Sequence, residues 1–235
     1  MQKRQLVDIA FIIAISIVLV LIWFRKGLLM GTGESGLPFY NPIKTLEVTE
    51  HTWQESVTGN ANVTTLLSMP LYLVVAVLYR IGIPTVFLQI GTFLSVLTVG
   101  GLSIYFLTLL AMPNEQNHRF AMLAGLFYML NPFSMVTIWN RFQYTYMFFY
   151  ALMPLSLLLC IKGLDSGKVV YSFYVSLACI VFLSAFAMPS FIGTFWIVLL
   201  LYLTFYLLTN FRNKAKILYA TKFFLAMFSL WLLLN

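Results

Sequence analysis

The stretch "LLSMPLYLVVAVLYRIGI" occupies residues 66–83. It is long enough to cross a bilayer, for which about 20 apolar residues (range about 17–25) suffice. Yet it holds Pro70 near its start and Arg80 near its end. If it crosses, every later loop changes sides; if it lies on the surface, the loops keep theirs. Its reading therefore decides the topology of the whole chain.

The surroundings leave no doubt about the solvent. Of 235 residues, 61% are hydrophobic and 9% charged, with a mean hydropathy of +0.92. Soluble domains carry about 25% charged residues, so this chain cannot coat a water-soluble core and belongs in a membrane. Its net charge of +7 comes from basic residues scattered singly between apolar runs. That pattern points to lipid phosphates and the cytoplasmic surface as partners and away from nucleic acid. Cys160 and Cys179 both lie in apolar segments, which supports neither a disulfide framework nor a zinc site. The apolar run from Leu6 to Phe24 exceeds a signal peptide's core of about 7–15 residues, and no A-x-A site follows it. It reads as an uncleaved first transmembrane helix, with Asp8 near enough to its start to reach interfacial water.

Charged residues divide the remainder. The uncharged stretches Ile81 to Asn114, Phe120 to Asn140 and Phe142 to Ile161 each accommodate one span. Val169 to Phe211 accommodates two, with "AMPS" (187–190) as the turn between them, and Ile217 to Asn235 gives a last one carrying Lys222. Lys and Arg mark cytoplasmic loops. With 66–83 on the surface and the N-terminus cytoplasmic, that side receives Lys3, Arg4, Arg119, Lys162, Lys168, Arg212, Lys214 and Lys216. Only Arg25, Lys26, Lys44, Arg80 and Arg141 stay outside. If 66–83 crosses, the basic "FRNKAK" (211–216) lands outside instead. The first arrangement predicts an all-α polytopic bundle of about seven spans in the cell membrane. A large external stretch, 25–84, carries an amphipathic or re-entrant juxtamembrane helix.

That stretch holds four of the seven acidic residues: Glu34, Glu47, Glu50 and Glu55. Glu34 lies in "GTGESG", whose glycines allow the backbone to approach a ligand closely. A carboxylate at the water–membrane boundary can serve as a general base or bind a divalent metal such as Mg or Mn; it can equally be a solvated loop acid. Glu47 and Glu50 share a face if "TLEVTEHTW" is helical, and His51 completes a candidate metal set with Glu34, though a surface helix also explains them. The external cations Arg25, Lys26, Arg80 and Arg141 sit where a polyprenyl-phosphate headgroup would lie, or snorkel to water. The aromatic run "WNRFQYTYMFFY" (139–150) reads as a sugar-stacking platform or, more simply, as an interfacial belt. Asn131–Pro132 should bend or end the third span. No P-loop, GxSxG, HExxH, CxxC or dinucleotide fingerprint occurs.

In order and spacing, "GESGLPFYNP", "HTWQESVTGN", "LLSMPLYLVVAVLYRIGIP", "FYMLNP" and "WNRFQYTYMFFYALMPLSLLL" resemble the N-terminal part of a GT-C membrane glycosyltransferase of the arabinofuranosyltransferase-like group. The resemblance covers roughly residues 1 to 165. It implies a catalytic first external loop, a juxtamembrane helix at 66–83, and transfer from a polyprenyl-phosphate sugar to a glycan or glycolipid acceptor at the outer face. Glu34 would stand where the family places an aspartate, as base or metal ligand, and the external cations would hold the donor phosphate. Such transferases usually have more spans, so the resemblance also implies that this chain is part of a longer enzyme. The competing expectation is a non-catalytic membrane subunit, or a protein that binds or transports a lipid-linked glycan.

Overall fold

A computed structural model describes residues 3–31, 38–51, 53–54, 60–61, 63–112, 117–140 and 143–234. The protein is helical, apart from a two-residue antiparallel pair in which Trp53 faces Ala61 and Gln54 faces Asn60. Among the described residues, five helices are long and apolar enough to cross a membrane. They are α1 (Lys3–Trp23), α5 (Thr85–Ala111), α7 (Tyr144–Ser166), α9 (Pro189–Thr209) and α10 (Lys214–Leu234). The shorter helices are α2 (Pro42–Thr49), α3 (Val63–Leu66), α4 (Met69–Arg80), α6 (His118–Leu130) and α8 (Val170–Val181).

The deciding segment forms α4. Twelve residues rise about 18 Å, well short of a hydrocarbon core about 30 Å thick. Pro70 falls in its first turn, where a missing N–H is not needed, and Gly82 ends it with φ at +97°. Its buried Tyr72 and Ala76 pack on Leu46 of α2, and the described residues of 25–84 hold three short helices, α2, α3 and α4, rather than one. Asn41 caps α2 by accepting from Lys44 N at 3.1 Å.

Two of the expected spans are broken. In the third, α6 stops at Leu130 because Pro132 lacks an N–H and its ring crowds the preceding turn. Asn131 then covers the exposed carbonyls. Its Nδ2 donates to Phe127 O and Tyr128 O, and its Oδ1 accepts from Ser134 N at 2.9 Å. The chain continues as a π-helical segment, Ser134–Trp139. The stretch expected as the fifth span forms α8 followed by the 3₁₀ segment Leu183–Ala187, with the turn at 187–190 where α9 starts on Pro189.

Contacts fix which helix ends lie together. Phe93 of α5 meets Trp23 and Phe24 at the end of α1, and it meets Trp139 after α6. Tyr144, at the start of α7, reaches Gln89 near the start of α5. Phe191 at the start of α9 packs on Tyr146 and Phe149, and Trp231 near the end of α10 packs on Phe186 and Trp196. At the other end, Tyr206 and Tyr219 bond to Leu164 O and Gly163 O. Helices α5, α7 and α9 therefore run in the same direction, α1 and α10 run opposite to them, and α7 is the most enclosed of the five.

Helix α1 seats itself by residues four apart. Asp8, Ile12, Ser16, Val20 and Phe24 are all buried. Asp8 is thus not at interfacial water; it is 8% exposed and hydrogen-bonded to Tyr105. Close approach of α5 and α6 rests on Gly101 and Gly125, since a Cβ on Gly125 would stand 2.8 Å from Gly101 O.

Candidate functional site

The stretch 25–84 begins where α1 ends. Arg25 and Lys26 are exposed in the closing turn, and Gly27 takes a positive φ of 66° while donating to Phe24 O at 2.8 Å. The chain then runs to Met30, where it meets Gln89. The Gln89 amide pairs with the Met30 backbone on both sides: Oε1 accepts from Met30 N at 2.8 Å, and Nε2 donates to Met30 O. Nε2 also donates to Tyr144 Oη at 3.0 Å. Gln89 is fully buried, and these bonds offset the cost of an amide in an apolar helix.

Eight residues further on, the chain returns to the same place. Pro38 is buried, and Phe39 is completely enclosed, its ring 5.7 Å from that of Tyr144. Both flanks of the glycine-rich segment are thus fastened to α5 and α7 through Gln89 and Tyr144. In sequence Glu34 falls between these anchors; both Glu34 and Arg141 lie outside the described residues.

Beside the anchors runs an apolar groove of about 570 Å³. Leu71 and Val75 of α4 form one wall, and Leu88 and Gly91 of α5 the floor; Phe148 of α7 and Phe182 after α8 close it. Thr92 and Ser95 also face it, but their hydroxyls donate back to Leu88 O and Gly91 O at 2.9 and 2.7 Å. Little polar capacity remains in the lining, which suits a hydrocarbon chain. The groove and the anchors share their supports: Leu88 adjoins Gln89, and Phe148 lies one turn past Tyr144.

The other candidates are placed as follows. Arg80 is exposed at the last residue of α4. Lys44 Nζ pairs with Glu47 Oε2 at 3.2 Å on the exposed face of α2. His51 Nδ1 lies 2.9 Å from Glu47 O, a contact in which the ring must donate. Glu50, exposed, ends α2. Among the described residues no three His, Cys, Asp or Glu side chains converge as metal ligands, so Glu47, Glu50 and His51 do not form a metal set by themselves. Burial raises the Tyr72 phenol above its ordinary value, and the Ser68 hydroxyl partly opposes this.

The aromatic run does not form an open platform. Trp139 is 2% exposed, stacked on Trp23 at 5.3 Å and edge-on to Tyr150. Tyr146 and Phe149 pack on Phe191. The described aromatic side chains of the run pack inward against other helices rather than forming an exposed belt. Sequence reasoning missed Gln89 and Tyr144. The available signal was that Gln89 is the sole amide side chain in the uncharged stretch 81–112, and a polar residue there calls for a partner. In comparisons with known proteins, no family model, no curated protein and no solved structure matches the chain.

Proposed function

We propose that this membrane protein is a GT-C-type glycosyltransferase that moves a sugar from a polyprenyl-phosphate donor to a cell-surface glycan or glycolipid at the outer face of the cell membrane. The observation that carries the reading is the adjacency of an apolar groove to the two anchors of the acidic loop. A lipid-linked sugar needs that combination: a dry channel for the chain and a polar, backbone-rich segment at its mouth for the headgroup. The hydrocarbon enters the groove between α4, α5 and α8. The phosphate meets Arg25, Lys26, Arg80 and Arg141. Glu34 takes the proton from the acceptor hydroxyl as its oxygen attacks the anomeric carbon, and the lipid phosphate leaves with the bonding pair.

In this reading the chain crosses seven times. The five long helices supply five crossings; α6 with its π-helical extension and α8 with its 3₁₀ extension supply two broken ones. The α8 pair measures about 18 Å of α-helix and about 10 Å of 3₁₀-helix, which together match the hydrocarbon thickness. The N-terminus is cytoplasmic, and Arg119, Lys162, Lys168, Arg212, Lys214 and Lys216 then share its side. No step is routed through a metal.

The test is transfer by the protein in its own membranes, supplied with a panel of labelled polyprenyl-phosphate pentoses and hexoses. Glu34→Gln should lower turnover at least ~100-fold, the usual scale for a lost general base, with donor binding retained. Donor binding without turnover in the wild-type protein would favour a binding or transport role. Undiminished turnover in Glu34→Gln would remove the catalytic assignment.

A further inference from the structure

Helix α10 carries a cation inside its apolar length. Lys222 is exposed, and it lies on the face that α10 turns away from the bundle. Ala220, Phe223, Phe224 and Met227 are buried on the packing face. Leu218, four residues before Lys222, and Leu225, three after it, are 57% and 61% exposed. Residues three and four apart share a helix face, so Lys222 sits among side chains that meet lipid.

Other cations at that end of the bundle have local company. Lys216 Nζ donates to Asn210 Oδ1 at 3.1 Å, Arg212 stands over the Phe211 ring, and Lys162 over that of Phe106. Among the described residues no hydrogen bond or ion pair reaches Lys222. An ammonium facing hydrocarbon is costly unless its stem returns it to the interface. Helix side chains tilt toward the N-terminus, which for α10 is the end that holds Arg212, Lys214 and Lys216.

The depth is set by the helix itself. Residues 217–234 of α10 rise about 27 Å, close to a hydrocarbon core about 30 Å thick, which puts the boundary near Ile217. The Lys222 Cα is then about 7.5 Å inside that boundary. Its four-carbon stem covers roughly 6 Å, at about 1.5 Å per bond, and so brings Nζ to the inner edge of the headgroup layer. Phosphate is the anion found there.

Lys214, Leu218 and Lys222 form one exposed row at successive intervals of four, with two cations and no acid. A second copy packed α10 on α10 about a two-fold axis would oppose like charges, which disfavours it as the occupant. We propose that this row binds one anionic glycerophospholipid. Lys222 pairs with the phosphate, Lys214 attracts the headgroup from the water side, and the acyl chains lie along Leu218 and Leu225. A zwitterionic lipid brings its own ammonium to the phosphate, so the row prefers a lipid without one. The site lies at the end of the bundle opposite the groove and the loop anchors, and it does not rest on glycosyl transfer.

The experiment uses the full chain in vesicles of phosphatidylcholine and phosphatidylglycerol, with one lipid or the other brominated on its acyl chains as a quencher. A bimane fluorophore on Leu225→Cys reports the lipid at the row. A second on Ile197→Cys, exposed at a similar depth on α9, reports the ordinary lipid boundary. The native Cys160 and Cys179 are buried, away from the label. Phosphatidylglycerol should be preferred about fivefold at Leu225, the ratio that matches about 1 kcal/mol for one lysine near a membrane surface. It should show no preference at Ile197. Lys222→Gln should bring the Leu225 ratio down to the Ile197 value, and Lys222→Arg should keep it. Equal quenching by the two lipids at Leu225 in the otherwise native chain would overturn the proposal. So would a preference that survives Lys222→Gln. Quenching by neither lipid would also overturn it, because a polypeptide would then cover the row.

Discussion

Tyr128 and Tyr150 each satisfy the carbonyl that a proline strands in the other's helix. Pro132 cannot donate to Tyr128 O, four residues earlier, and Tyr150 Oη donates to it at 3.0 Å. Pro154 inside α7 cannot donate to Tyr150 O, and Tyr128 Oη donates to it at 2.8 Å. The rings stack at 4.3 Å, and Ser134 Oγ and Asn131 Nδ2 also donate to Tyr128 O. Two breaks in neighbouring helices are thereby repaired at one crossing, as apolar surroundings demand.

Each phenylalanine substitution keeps the stacked ring and leaves one buried carbonyl short of a donor. Tyr128→Phe and Tyr150→Phe should each destabilise the fold by about 1–2 kcal/mol, the range for interhelical hydrogen bonds in membranes. Tyr128→Phe should cost more, because Tyr128 O keeps Ser134 and Asn131 when Tyr150→Phe is made. Reversible unfolding in mixed micelles measures both. Equal losses would mean that Ser134 and Asn131 contribute nothing.

Gln89 makes a different kind of bond, holding an irregular segment to a helix. In Gln89→Leu the volume is nearly kept while Met30 loses both backbone partners and Tyr144 its donor. The expected result is local: hydrogen exchange at the Met30 amide accelerates at least ~10-fold, and the helices α5 and α7 keep their protection. Exchange at Met30 that matches the unaltered protein would mean that Phe39 alone holds the segment.

How much of this was legible in the sequence follows from which interactions are local. The membrane class, the first helix, the turn at 187–190 and the break at Asn131–Pro132 are set by hydropathy, length and proline sterics, all readable in one stretch of chain. The short α4 agrees with the charge distribution that kept 66–83 out of the span count. Asp8 was misplaced because its partners Tyr105 and His118 are distant in sequence, and nothing local announces a buried acceptor. The aromatic run 139–150 was read as surface because composition cannot distinguish a ring facing headgroups from one facing Trp23 or Phe191. The groove was invisible for the same reason: it is made by four helices, α4, α5, α7 and α8, whose lining residues are mostly ordinary apolar ones.

Glycines in α5 and α6 offer a paired test of packing. A Cβ on Gly125 meets the backbone oxygen of Gly101, which cannot move aside, while a Cβ on Gly91 meets nothing within 4 Å. Gly125→Ala should therefore destabilise by about 1–3 kcal/mol through overpacking. Gly91→Ala should be neutral or stabilising by up to about 1 kcal/mol, since alanine favours the helix. Thermal unfolding of the two variants in the same detergent compares them directly, and equal behaviour would contradict the close α5–α6 crossing.

The open space at Gly91 also gives a way to block the groove without breaking the fold. Gly91→Phe adds a large apolar side chain from the floor, with room for its Cβ, and fills part of the 570 Å³ between α4 and α8. The anchors at Gln89 and Tyr144 are untouched. Donor carrying a long polyprenyl chain should then bind at least ~10-fold more weakly, equivalent to about 1.4 kcal/mol, while a water-soluble analogue with the same phosphate and sugar but a chain of one isoprene unit should bind as before. Native mass spectrometry of the nanodisc-released protein titrated with both ligands reads the ratio. Loss of both would mean that the substitution disturbs the headgroup side, and loss of neither would move the hydrocarbon chain out of this groove.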